Sequence, residues 1–180
     1  MGSLAWFRRF QTFRGIVPVM ARWADMANDR PAMAERGATL FLFGGAGGAY
    51  EGGLGYLATV RPDGGPRIHP MSPVLRDGDL YAFILRKSAR ARDLRRDDRF
   101  AMHAWPQPFG ADDSFDDEEF VVRGRATLVT DEAVRTAIAT AVQDDVNSAD
   151  IYRLDIEHAQ HKSRPGGKLT YERWRPRQRA

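Results

Sequence analysis

The chain contains no cysteine, which excludes disulfides and thiolate metal sites and suits a reducing cytoplasm. It has no apolar run near the roughly 20 residues that a membrane-crossing helix needs. Histidine is scarce, with four in 180 residues, and no Ser-His-Asp, Cys-His or metal-hydrolase arrangement emerges. The glycine-rich stretch GGAGGAYEGG (44–53) lacks the Gly-Lys-Ser/Thr ending of a phosphate-cradling loop, so it reads as a hinge or turn. The acid-rich stretch DDSFDDEEF lacks the spacing of a calcium loop and reads as a solvated loop.

Charge is nearly balanced overall, at +3, but it is segregated. The first 24 residues carry Arg8, Arg9, Arg14 and Arg22 and no acid, and the final stretch KLTYERWRPRQRA is also basic. Solvated ends explain this more simply than contact with nucleic acid or anionic lipid. Neither nucleic acid nor a membrane is an expected partner. Arg8, Arg9 and Arg14 interrupt what would be the apolar core of a secretory signal, so residues 1–19 read as an extension preceding one domain, 20–180.

Along that domain, Trp23, Met26, Ala27, Met33 and Ala34 recur near helical spacing. Pro31 breaks the run near Arg30, and Gly37 reads as a C-cap. ATLFLF (38–43) is β-prone. GYLATV (55–60), RIHPMSPVL (67–75) and LYAFIL (80–85) read as a three-strand meander, punctuated by RPDGGP and RDGD turns. Pro70 and Pro73 cannot donate ladder hydrogen bonds, so they belong on an edge, at a bulge or beside a ligand. Ser88–Asp98 reads as a short helix. Strands follow at 99–105, 120–129 and 151–157, and at KLTYERW. Thr130 is the expected cap of a helix burying Val134, Ile138 and Val142. Six or so antiparallel strands with short helices predict an α+β, mainly β, small barrel.

RKSARARDL (86–94) places a serine among cations where a strand ends. A helix beginning near Ser88 aims free amides at an anion. Arg90 lies toward the Leu94 side, and an inward guanidinium requires a partner. The competing reading is a solvated helix whose arginines, Arg92 to Arg96, pair with Asp93, Asp97 and Asp98. His69 lies on a groove-facing strand. His158 and His161, three apart, admit metal or haem ligation but lack an evident third ligand.

The order GYLATV, a DG.PR turn, RIHPM, a DG turn, LYAFI, a Ser-x-Arg helix ending in DL, and EFVVRGRA resembles the pyridoxamine 5′-phosphate oxidase-like, FMN-binding split-barrel family. The resemblance spans about residues 55–129 and implies a six-stranded antiparallel split β-barrel. It also implies a homodimer, with FMN at the interface and a small-molecule substrate. The implied cofactor contacts are Arg67, Ile68, His69, Pro70, Met71, Ser72, Ser88, Arg90, Arg92 and Trp105. No side chain is implied as a catalytic acid or base. Glu119 stands where the oxidases tend to have a glutamine. The oxidases' C-terminal Arg-x-His has no counterpart in LTYERWRPRQRA, so oxidation of pyridoxamine phosphate itself is not expected. A deazaflavin (factor-420 type) reductase and a non-enzymatic flavin- or haem-binding sensor or storage protein are the alternatives on this fold.

Overall fold

A computed structural model describes residues 19–42, 53–104 and 118–177. Helices α1 (Trp23–Asp29) and α2 (Pro31–Leu42) come first. The strands β1 (Gly55–Val60), β2 (Pro66–Met71), β3 (Pro73–Arg76) and β4 (Asp79–Leu85) follow. After α3 (Ala89–Arg96) come β5 (Arg99–Ala104), β6 (Glu119–Leu128), α4 (Glu132–Ala141), β7 (Ala149–Ser163) and β8 (Thr170–Trp174).

All pairings are antiparallel, in the order β2-β1-β5-β6-β7-β4-β3, with β8 added to β7. The two ends of this order, β2 and β3, are one continuous piece of chain broken only at Ser72. One segment therefore borders both edges of the sheet, and the sheet must curl to allow it. Counting β2 and β3 as a single stave, and leaving out β8, which lies off this path, gives six, so the fold is the expected antiparallel split barrel. The expected meander is corrected at this point. RIHPMSPVL pairs with β1 through its first half and with β4 through its second. Pro70 and Pro73 flank the break, where missing amide donors cost least.

Local chemistry explains the turns. The β3–β4 hairpin is a two-residue Asp77-Gly78 loop with φ of 51° and 76°. Positive φ at both positions matches the twist of the flanking strands, and Asp-Gly supplies it cheaply. Helix α4 is capped by Asp131 rather than Thr130, its carboxylate accepting from the amides of Ala133 and Val134. Ile138 is fully buried there, with Val134 and Val142 partly so.

Two expectations at α2 are corrected. ATLFLF continues the helix through Leu42 instead of forming a strand. Met33, Ala34, Gly37, Leu40 and Phe41 are all buried, and their spacing keeps one apolar stripe against the core. Gly37 is accordingly no cap. It lies mid-helix, where a Cβ would meet the Phe120 ring at 2.5 Å. Phe120 packs against Phe41 (5.7 Å, edge-on) and Trp23 (5.9 Å), so these aromatics fix the helix pair to the barrel. No helix among the described residues is long and apolar enough to cross a membrane. All of the extension (1–19) but Val19, most of the glycine-rich loop, Trp105 and the acidic loop to Asp117 lie outside the described residues.

Gly37→Ala provides a test of sign. Helix propensity alone would stabilise it by about 1 kcal/mol. Crowding against a ring that cannot yield should instead destabilise by about 1–3 kcal/mol, read as a lower midpoint in urea unfolding.

Candidate functional site

Strand β4 ends at Leu85, and the chain turns at once into α3. Ser88 caps it, its Oγ accepting from the Ala91 amide at 3.2 Å. The sequence RKSARARDLRR then faces three ways. Ala91, Asp93 and Leu94 are buried against the barrel, while Arg92, Arg95 and Arg96 are exposed.

Two buried carboxylates organise the cations. Asp93, 2% exposed, accepts from Arg67 Nε at 2.6 Å and the Thr59 hydroxyl at 3.0 Å, with Arg96 at 3.5 Å. Burial pushes this carboxyl up, but the bonds from Arg67 and Thr59 and the charges of Arg67 and Arg96 outweigh it and hold it below the usual range. Asp150 accepts from Arg86 Nε at 3.0 Å and from Arg95. Arg99 pairs with Asp97 at 2.6 Å, and Arg125 with Asp98. The solvated-helix reading thus holds for part of the segment, although its main pairings are long-range.

Among the described residues, Lys87, Arg90 and Arg92 have no carboxylate partner. Arg92 is exposed and donates to the Lys87 carbonyl at 2.9 Å. Arg90 is half-buried and donates to the Pro70 carbonyl at 3.1 Å. Burial lowers its affinity for its proton, with no anion to restore it. Its guanidinium borders a cleft of about 240 Å3, lined also by Met71, Ser72, Phe83, Leu85, Val142 and Asp144. Four of these are apolar. Asp144 is exposed at the rim, its carboxylate accepting from the Asp145 amide at 2.7 Å.

The anticipated contacts therefore separate. Met71, Ser72 and Arg90 line the cleft, the Pro70 carbonyl accepts from Arg90, and Ser88 begins the helix that carries Arg90. On β2, Arg67, His69 and Met71 share one face, whereas Ile68, 62% exposed, and Pro70 point the other way. Arg67 is engaged by Asp93. Phe83, Leu85, Val142 and Asp144 were not anticipated. They come from elements far apart in sequence, and the barrel's curl brings them together.

Glu119 is held by Lys162 at 2.8 Å and approached by His103 at 3.8 Å. His158 and His161 cannot share one ion. They lie on opposite faces of β7: His161 packs beside Phe120 and contacts Glu118 at 3.2 Å, while His158 pairs across the ladder with Arg123 on the outer face. No group of potential metal ligands exists among the described residues.

The family model for pyridoxamine 5′-phosphate oxidase matches residues 51–175. The chain belongs to the pyridoxamine 5′-phosphate oxidase family. Members of this family typically bind flavin or deazaflavin. No curated protein matches the sequence. A heme-binding protein from Mycobacterium smegmatis is similar in structure, with a TM-score of 0.57 and 15% identity over 79% of this chain and 58% of that one. A Listeria innocua protein provisionally assigned as a pyridoxamine 5′-phosphate oxidase has a TM-score of 0.50 and 20% identity, covering 60% of this chain and 86% of that one. A Bacteroides thetaiotaomicron protein provisionally assigned to 5-nitroimidazole antibiotic resistance has a TM-score of 0.54 and 11% identity, covering 77% and 85%. These likenesses establish the split-barrel fold.

Removing Asp93 tests the positioning of α3. Asp93→Ala should cost about 2–3 kcal/mol, below the 3–5 typical of a broken buried pair because Arg67 regains water. The lowered pKa means that the native carboxylate stabilises the fold above its ordinary value of 3.8 and loses that contribution as pH falls through the folded value. The wild-type stability loss in acid should therefore be shallower in Asp93→Ala, as followed by urea unfolding across pH.

Proposed function

We propose that the chain binds FMN, with its phosphate against Arg90 at the mouth of the α3 cleft. We further propose that it is a flavin-dependent oxidoreductase acting on a small organic molecule. The observation that carries this reading is the division of charge around α3. Arg67, Arg86, Arg95 and Arg96 each have a carboxylate, whereas the half-buried Arg90 has a single backbone carbonyl. A half-buried cation without an anion is costly, and a phosphate would satisfy it. Each charge-assisted hydrogen bond to that phosphate contributes about 1.5–3 kcal/mol. Lys87 and Arg92, also without carboxylates among the described residues, add positive potential at the helix start.

The cleft chemistry fits the rest of such a ligand. Met71, Phe83, Leu85 and Val142 offer an apolar wall, and Ser72 offers a hydroxyl. Its volume of about 240 Å3 lies below the roughly 300–1,000 Å3 of complete small-molecule sites. A homodimer, with the second copy closing the cleft, supplies the missing wall. The exposed Ile68 on edge strand β2 and Leu85 at the cleft suit such an interface. The bound flavin supplies the redox chemistry. The protein's part is to hold the phosphate, exclude water and orient the ring. A cysteine-free chain acting in this way suits a reducing cytoplasm.

Reconstitution provides the test. Protein mixed with FMN and desalted should retain a flavin absorption spectrum, and Arg90→Ala should weaken binding by about tenfold or more. Unchanged affinity would rule out the phosphate assignment. Retention of the deazaflavin coenzyme but not FMN would move the chain to the deazaflavin reductases, and a Soret band with haem alone would favour a haem-binding role. Sedimentation velocity should give a dimer, and a monomer that still binds FMN tightly would remove the shared-site proposal.

A further inference from the structure

On the outer face of the sheet, away from the α3 cleft, three neighbouring strands present cations to one another. Arg123 on β6 lies directly opposite His158 on β7. Gln160, two residues along the same face, lies opposite Arg173 on β8. Trp174, the last residue of β8, is buried opposite Ala159, and the next residue, Arg175, lies near enough to His158 for its charge to act on that ring. Arg123, Arg173 and Arg175 are exposed, and His158 is partly so.

Folding has gathered cations here around a single matching acid. The nearest carboxylate, Glu157, reaches Arg123 at 3.5 Å. Arg173 donates to the neutral Gln160 amide oxygen at 3.0 Å and lies over the Tyr171 ring. Among the described residues no carboxylate pairs with Arg173 or Arg175. Partial burial, then the charges of Arg123, Arg175 and Arg173, hold the His158 imidazole toward its neutral form, against a smaller opposite pull from Glu157. The bulge between Arg123 and Gly124 fixes this geometry, because it ends the regular register just where His158 and Arg123 meet.

We propose that Arg123, His158, Arg173 and Arg175 form a second anion site, on the outer face of β6–β8, for a short oligophosphate. Three strands span about 10 Å, the reach of two or three linked phosphoryl groups rather than of an extended polymer. A polyphosphate would supply the anion that Arg173 and Arg175 lack among the described residues, and His158 would gain a proton to become a further charged donor. Gln160 would add a neutral donor once its amide turns outward. The site is independent of Arg90, so it stands or falls separately from the flavin reading.

Titration of the full chain with inorganic tripolyphosphate, with and without FMN, tests this by NMR of the His158 ring protons. The expected result is a saturable shift and a raised His158 pKa in both conditions. Arg123→Gln and Arg175→Gln should each weaken tripolyphosphate by about tenfold. Arg90→Gln should leave the affinity unchanged. The two outer-face variants carry single exposed substitutions, and unchanged urea midpoints would confirm that they fold. A linear, non-saturating response, or binding lost only with Arg90→Gln, would overturn the proposal. So would an oligonucleotide binding the same residues more tightly than tripolyphosphate.

Discussion

Asp93 is the interaction on which the candidate site depends. A carboxylate buried at the base of α3 stays charged because Arg67, Thr59 and Arg96 converge on it. These partners come from β1, β2 and α3 itself, so one anion ties the helix to two strands. Asp150 does the same at the other side, tying β7 to the loop after β4 through Arg86 and to α3 through Arg95. These ties fix which face of the helix meets the barrel, and Arg90 borders the cleft. An arginine-rich helix thereby carries two kinds of cation: those paired with carboxylates and those that, among the described residues, meet only backbone carbonyls.

Barrel closure is the second constraint. Because β2 and β3 are one stretch of chain, the sheet's two edges meet at Ser72. The break brings Ser72 and Met71 beside Phe83 and Leu85 from β4, and beside Val142 after α4. The prolines on either side of it lack the amides that would otherwise extend a single ladder. The feature that interrupts regular hydrogen bonding thus also opens the groove.

The strands were largely legible because their apolar alternation and turn residues agree. Asp-Gly at 77–78 and Gly55–Val60 fell where pattern and turn chemistry predicted. Helix α2 was misread beyond Gly37, since LFLF satisfies β propensity locally while its buried stripe follows a helical period. At the site, Ser88 as a cap and Arg90 as the inward-facing arginine followed from helical geometry. That Arg67 belongs to Asp93 did not, because the pair spans 26 residues and separation along the chain carries no signal of it. The two histidines of β7 were separated by the pleat, which a count of three residues already implies once the segment is known to be a strand.

The sequence by itself determined the antiparallel barrel, the capped basic helix and the family, because each rests on local pattern and residue order. Only the tertiary structure decided which cations are neutralised and which remain available. Ion pairing depends on distances across the curled sheet, where Asp93 and Asp150 each choose among several arginines by proximity and burial. The same holds on the outer face, where the strand register sets Arg123 opposite His158 and Arg173 opposite Gln160.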